Sequence, residues 1–242
     1  MPSQFVSLGP LTLNVYTFLI VLAALASLAW AWLDGRDAGI FTVGAILTLG
    51  ALVGGRVVYV ALHWDYFHEH IEEIIWLAGL SEHGAILGGA IAGCALRIAR
   101  RPLPLQFSTF NAQFFVLLGI AASLGCIPNG CAYGREVFWQ TDGADSLAWR
   151  LHADWPDAYL VNNPRWPTQA LMALWLAIAG VLLWRQAHLL PPLPTLVVAF
   201  AAGDFLVQFL RGDPILMVAG LRIYQWFDLV LGLLAAVWRK SR

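Results

Sequence analysis

The sequence predicts an all-α fold: a polytopic transmembrane helical bundle of about seven spans, with a small extracytoplasmic head between spans four and five. Three observations predict it. Of 242 residues, 60% are hydrophobic and 12% charged, whereas a soluble domain is about 45–50% apolar and about 25% charged. The mean hydropathy of +0.69 leaves too little polar surface to cover a protein of this size. Apolar runs of about 20 residues, the length that crosses a bilayer, recur along the chain.

The elements follow in order. Residues 11–33 form the first span; the first charged side chain after the start is Asp34, so no basic segment marks a signal peptide and the helix is read as retained. The second span, 39–61, holds one charge, Arg56. The third is short, with 84–96 free of charge and a partial helix expected over 74–80. The fourth lies within 105–126. Residues 127–166 are polar, Trp-rich and too long for a plain connection, so they are read as a head region inserted into a single transmembrane domain spanning 1–242. The fifth span is 167–184, the sixth 196–210 with Asp204 inside it, and the seventh 223–238 with Asp228 inside it.

Orientation follows from Lys and Arg placement. With seven spans, Arg36, Arg97, Arg100, Arg101, Arg185, Arg239, Lys240 and Arg242 fall on the C-terminal side. Arg135, Arg150, Arg165, Arg211 and Arg222 are spread over longer loops on the other side. The C-terminus is therefore expected in the cytoplasm, and the N-terminus and head outside. A net charge of −1 gives no basic patch for nucleic acid.

Ionisable groups within spans are costly and so need a reason. Arg56, in Gly54-Gly55-Arg56-Val57-Val58-Tyr59, has two readings of equal weight: a cation for an anionic head group, or a structural Arg that pairs with Asp204 or Asp228 or satisfies helix carbonyls. His83, in Ser81-Glu82-His83-Gly84, is either a base near neutral pH or an interfacial hydrogen-bonded histidine. Gly89 and Gly93 form a GxxxG in the third span. The run from Leu124 to Arg135 ends a span, and the helix is expected to break at Pro128 and Asn129-Gly130, leaving irregular backbone as a site wall. Cys126 and Cys131 are read first as small buried side chains, with a disulfide or metal ligation as alternatives. Gln169 is unusual inside a span, and Asp204, Gln208 and Arg211 recur at one-turn spacing, as on one helix face.

The motifs carry more in order than singly. They are Ser7-Leu8-Gly9-Pro10 followed by Tyr16; Gly54-Gly55-Arg56 with Tyr59; Glu82-His83-Gly84; Gly125 through Asn129-Gly130 to Tyr133-Gly134-Arg135; Pro167-Thr168-Gln169; and Phe209-Leu210-Arg211-Gly212-Asp213 with Gln225. In this order the chain resembles the prolipoprotein diacylglyceryl transferases of the bacterial cytoplasmic membrane. The resemblance implies transfer of diacylglyceryl from phosphatidylglycerol, or another anionic phospholipid, to the lipobox cysteine thiol of a preprolipoprotein signal peptide. It implies His83, Arg56 and Arg211 as catalytic residues, and Tyr16, Tyr59, Asn129, Gly130, Arg135, Gln169 and Gln208 as substrate-binding residues. No cofactor and no metal is implied, and the protein is taken as a monomer.

Several positions depart from the family pattern. Ser123 and Asp204 stand where the family has Arg, Cys131 and Gln208 where it has Glu, and Ala85 where it has Gly. The cation losses weaken phosphate binding unless Arg135, Arg165 or Arg222 substitutes. A related fold with another transfer reaction or lipid donor, or a lipid-binding protein without catalysis, are the alternatives.

Overall fold

The structure is a computed structural model that describes residues 5–8, 11–33, 38–75, 79–99, 107–186 and 192–240. Gly9, Pro10, residues 76–78 and 105–106, and the basic positions Arg36, Arg100, Arg101 and Arg242 lie outside the described residues. In chain order the elements are β1 (Phe5–Leu8), β2 (Leu11–Asn14), α1 (Val15–Leu33), α2 (Ala38–Leu62), α3 (Trp64–Phe67), α4 (Glu82–Ile98) and α5 (Phe107–Asn129). Then come α6 (Trp139–Asp142), α7 (Leu147–Leu151), β3 (Ala153–Pro156), β4 (Asn162–Arg165), α8 (Thr168–Gln186), α9 (Pro192–Val207), β5 (Met217–Val218), β6 (Leu221–Arg222) and α10 (Ile223–Lys240).

Each expected span meets a helix, with three local corrections. Residues 11–14 are not helical: they pair antiparallel with β1, from Phe5↔Asn14 to Leu8↔Leu11. The helix starts after them because the Asn14 side chain accepts the Tyr16 N–H at 2.9 Å, an N-cap. The partial helix over 74–80 is absent among the described residues. Arg56 takes the carbonyls of Glu73, Ile74 and Gly79, which a helix would need for itself, and Gly79 sits at φ +80°. Finally, α5 continues through Pro128 to Asn129. A proline this close to the helix end forfeits one backbone bond, and Gly130 N–H to Ile127 O (3.4 Å) and Cys131 N–H to Cys126 O (3.2 Å) close the last turn.

Four helical segments among the described residues are long and apolar enough to cross a bilayer: Thr42–Leu62, Ala112–Asn129, Thr168–Gln186 and Leu193–Leu210. Val15–Ala29 and Glu82–Leu96 are shorter apolar helices. Leucines such as Leu174, Leu182, Leu206 and Leu233 are exposed while Arg56, His83, Asp204 and Asp228 are buried. That distribution suits lipid as the outer solvent and makes this an all-α membrane protein.

The chain divides into two compact units, Ser27–Asn111 and Met1–Ala26 with Ala112–Arg242. In the smaller unit, α2 packs against α4 through glycines. A Cβ on Gly88 would lie 2.2 Å from the Gly50 carbonyl oxygen, and one on Gly54 would lie 2.4 Å from that of Gly84. The close seam is therefore Gly50/Gly54 against Gly84/Gly88. Gly89 and Gly93, the GxxxG singled out from the sequence, have ordinary space around them, with nearest atoms at 3.9 and 3.6 Å. In the larger unit, Ala112, Ala179, Leu183 and Leu196 of α5, α8 and α9 form a common core, with Phe115 edge-on to Phe200. Between α5 and α8 lie α6, α7 and the β3–β4 hairpin, paired from Ala153↔Arg165 to Pro156↔Asn162.

The glycine seam gives a test. Gly88→Ala is expected to destabilise by about 1–3 kcal/mol, because its clash is with backbone that cannot give way. Gly89→Ala is expected to be near neutral or stabilising, and thermal melts in detergent compare the two directly.

Candidate functional site

In the Ser27–Asn111 unit, the Gly54-Gly55-Arg56 motif organises the segment that leads into α4. The guanidinium of Arg56 donates from Nε to Ile74 O at 2.7 Å, from Nη1 to Gly79 O at 3.0 Å and from Nη2 to Glu73 O. It also faces the rings of Phe67 and Tyr59, at 5.0 and 5.6 Å from their centroids. Tyr59 stacks on His63 at 4.3 Å and closes over Gly79, where a Cβ would come within 2.5 Å of the ring. One residue before Arg56, the Gly55 carbonyl accepts the Ser81 N–H at 3.0 Å. Ser81 then caps α4, its Oγ accepting the Gly84 N–H at 3.2 Å. His83 is the second residue of α4 and is buried. Its place is thus set by consecutive residues of α2. An open cleft of about 340 Å³ beside Arg56 is lined by Val57, Val60, Ala61, Trp64 and Ile74.

In the larger unit, the end of α5 is held from several sides. Asn129 donates from Nδ2 to the Asn14 side-chain oxygen that also caps α1. Tyr16 packs on Gly125, whose Cβ would lie 2.8 Å from the Tyr16 Cα. Cys126 and Cys131 form a disulfide with their Cα atoms 4.8 Å apart. This corrects the reading of two small buried side chains: the turn after Pro128 brings i and i+5 within bridging distance. Gly130 has φ +64° and no room for a Cβ, which would meet Asp157 O at 1.8 Å. Thr168 and Gln169, both buried at the start of α8, donate to the carbonyls of Ala132 (2.7 Å) and Cys131 (2.9 Å). The Arg135 backbone is clamped by Leu210 O (2.8 Å) and Trp166 N (3.2 Å), and its side chain is exposed.

Gly134 bridges to Arg211, and Gly212 donates to Tyr133 O at 2.9 Å, so this loop runs antiparallel to the residues after α9. There the spacing argument fails. Asp204 and Gln208 do share a face, with Gln208 Nε2 donating to Asp204 Oδ2 at 3.0 Å. Gln208–Leu210, however, tightens into one 3₁₀ turn and Arg211 is extended, at φ −74° and ψ 145°. Arg211 grips Asp213 with two bonds, Nε to Oδ1 at 2.8 Å and Nη2 to Oδ2 at 2.7 Å. Arg222 closes on the same carboxylate at 3.1 Å, donates to the Asp213 carbonyl at 2.9 Å and donates from Nε to Gln208 Oε1 at 2.9 Å. Burial pushes the Asp213 carboxyl up, but Arg211 and Arg222 more than offset this and hold it below the ordinary carboxylate range.

The structure therefore gathers Tyr16, Asn129, Gly130, Arg135, Gln169, Gln208 and Arg211 within one unit, and Arg56, Tyr59 and His83 within the other. Asp213 as the partner of Arg211 was missed. Its signal was present: residues two apart on an extended strand share a side, whereas a helical reading separates them. Arg165, a candidate substitute cation, is held by Glu136 (2.8 Å) and Asp157 (2.9 Å).

The sequence matches the profile of the family described as prolipoprotein diacylglyceryl transferase over residues 3–239. The chain belongs to that family. Similar proteins named phosphatidylglycerol–prolipoprotein diacylglyceryl transferase include one from Thermosynechococcus vestitus, 30% identical over 95% of this chain and 88% of its own length. Another, from Synechococcus elongatus, is 32% identical over 96% of this chain and 86% of its own length. A third, from Staphylococcus epidermidis, is 26% identical over 96% and 86%.

Within this transferase family the departures become chemically legible. Ser123 spends its hydroxyl on the Gly119 carbonyl at 2.8 Å. Asp204 and Gln208, the two positions that depart from the expected Arg and Glu, form a hydrogen-bonded pair, and Arg222 bonds the far end of Gln208. Cys131, in place of Glu, enters the disulfide.

Asp213→Asn leaves the buried Arg222 and the half-buried Arg211 facing a neutral amide, and is expected to cost about 3–5 kcal/mol. The wild-type clamp contributes stability above the unfolded carboxylate value of about 3.9 and loses it as pH falls from there through the lower folded value. Melting curves on acidification should show this loss in wild type and not in Asp213→Asn.

Proposed function

We propose that the protein is a phosphatidylglycerol–prolipoprotein diacylglyceryl transferase. The observation that carries this is the match of the sequence over residues 3–239, nearly the whole chain, to one family. In the proposed step the lipobox thiol gives its proton to His83 and the sulfur attacks the glyceryl carbon of the lipid. The carbon–oxygen bond to phosphate breaks, and glycerol phosphate leaves with the electron pair. No cofactor or metal takes part, and the protein acts as a monomer. Tyr16, Asn129, Gly130, Gln169 and Gln208 shape the substrate-binding wall. Arg56 and Tyr59 position His83 through Glu73, Ile74 and Gly79, and the apolar cleft beside Arg56 suits an acyl chain. Arg211, with Asp213, orients the polar loop.

Of the three cations that stood as substitutes for those absent at Ser123 and Asp204, Arg165 is bound by Glu136 and Asp157, and Arg222 by Asp213. Arg135 is exposed on a fixed backbone, so we assign it to the lipid phosphate. The disulfide supports an oxidising, extracytoplasmic setting for the end of α5 and the head. The protein then sits in the bacterial cytoplasmic membrane with its N-terminus outside and its C-terminus in the cytoplasm.

A second reading, lipid binding without transfer, is favoured by the bidentate neutralisation of Arg211 by Asp213. Complementation of a strain depleted of its own transferase separates the two. Transfer predicts growth and a diacylglyceryl-modified reporter lipoprotein; membrane expression with an unmodified reporter decides for binding alone. In the rescuing protein, His83→Ala should lower the rate about 10²–10⁴-fold. Arg135→Ala should lower it about ten- to a hundredfold, with partial recovery in Arg135→Lys. For orientation, Gln140→Cys in a Cys94→Ser background should react with a membrane-impermeant maleimide applied to intact spheroplasts; reaction only after lysis would reverse the assignment.

A further inference from the structure

The turn joining β3 to β4 carries three consecutive exposed apolar or aromatic side chains, Tyr159, Leu160 and Val161, with Tyr159 85% exposed. Leu160 is left-handed at φ 64°, a backbone conformation that leucine rarely adopts and that turns normally give to Gly or Asn. The turn is not loose. Asp157 Oδ1 accepts the N–H groups of Tyr159 (2.8 Å) and Val161 (3.0 Å). The Asp157 carbonyl accepts the Leu160 N–H at 2.9 Å, and its N–H donates to Val161 O at 3.1 Å. Its second carboxylate oxygen is held by Arg165 at 2.9 Å. A strained turn is thus braced so that it projects apolar side chains outward.

Its level relative to the membrane follows from its base. Asp157 O lies against Gly130, the residue after the last one of α5, so closely that a Cβ there would be 1.8 Å away. The base of the turn therefore rests on the end of a membrane-crossing helix. The N–H groups of residues 159–161 are all taken by Asp157, so the tip offers no donors for pairing with a peptide strand and presents side chains alone. An aromatic hydroxyl beside two aliphatic groups at that depth matches the boundary between lipid head groups and acyl chains.

We propose that the Tyr159–Leu160–Val161 turn is a membrane-interface anchor that inserts among the lipids and holds the head region at a fixed depth. This is independent of the group the protein transfers. The test uses the full chain in phosphatidylglycerol-containing liposomes, in a Cys94→Ser background with the native disulfide intact. Spin labels are placed at Leu160→Cys, at Gln140→Cys on exposed α6, and at Leu182→Cys on the apolar exterior of α8. The label at 160 is expected to show several-fold lower accessibility to a water-soluble nickel chelate than that at 140, with oxygen accessibility shifted towards that at 182. Equal exposure of 160 and 140 to the chelate overturns the proposal. Protection that appears only on adding a lipobox peptide assigns the turn to the peptide and overturns it as well. The double change Tyr159→Ser with Leu160→Asn keeps a residue that tolerates the left-handed turn. It should leave the melting temperature unlowered while moving a label at Val161→Cys several-fold towards the chelate; a label that stays protected refutes the anchor.

Discussion

Inside a bilayer no water is present to satisfy a backbone carbonyl or a buried charge, and much of this structure follows from that constraint. Between α3 and α4, the carbonyls of Glu73, Ile74 and Gly79 are met by a single guanidinium, that of Arg56. The chain after α9 leaves helical geometry, and its turn is held by one carboxylate between two guanidiniums, Arg211–Asp213–Arg222. Gln208 is buried with both ends of its amide used, donating to Asp204 and accepting from Arg222, which also settles which atom is nitrogen. The Arg56 and Arg211–Asp213–Arg222 networks both stand where the backbone departs from α-helix.

The same economy explains how the chain tolerates departures from its family. A change of Arg to Asp at 204 would strand a carboxylate opposite a Glu at 208. With Gln208 the two positions remain a hydrogen-bonded pair. Loss of Arg at 123 leaves a serine that satisfies itself on the preceding turn. Both positions are thus satisfied within the fold.

The end of α5 is braced in three chemically different ways: the Cys126–Cys131 disulfide, the Asn14–Asn129 amide contact, and the close approach of Asp157 to Gly130. Arg165 joins Asp157 to Glu136, and Glu136 in turn accepts from Asn163. The residues between 129 and 135 are therefore held in one conformation by partners drawn from the N-terminal strand, the head and the start of α8.

The positions of the helices were legible in the residue order because lipid demands long apolar runs, and composition alone reveals them. The ordered motifs, from Gly54-Gly55-Arg56 to Arg211-Gly212-Asp213, likewise pointed to the family. What the one-dimensional pattern could not carry was the geometry of exceptions. Helical periodicity placed Arg211 with Asp204, because it cannot register that one 3₁₀ turn and an extended residue intervene. It picked out the GxxxG of Gly89 and Gly93, although the seam lies at Gly84 and Gly88; every GxxxG reads alike until a facing helix is present. It left the disulfide as an alternative behind two small buried side chains, because two cysteines five apart meet only if the backbone turns back after Pro128. The sequence by itself determined the solvent, the helices and the family, since these depend on residue type and order. Which residue satisfies which, and so which side chains are left to act, was decided by tertiary structure, since hydrogen-bond partners are selected by distance in space and not by separation along the chain.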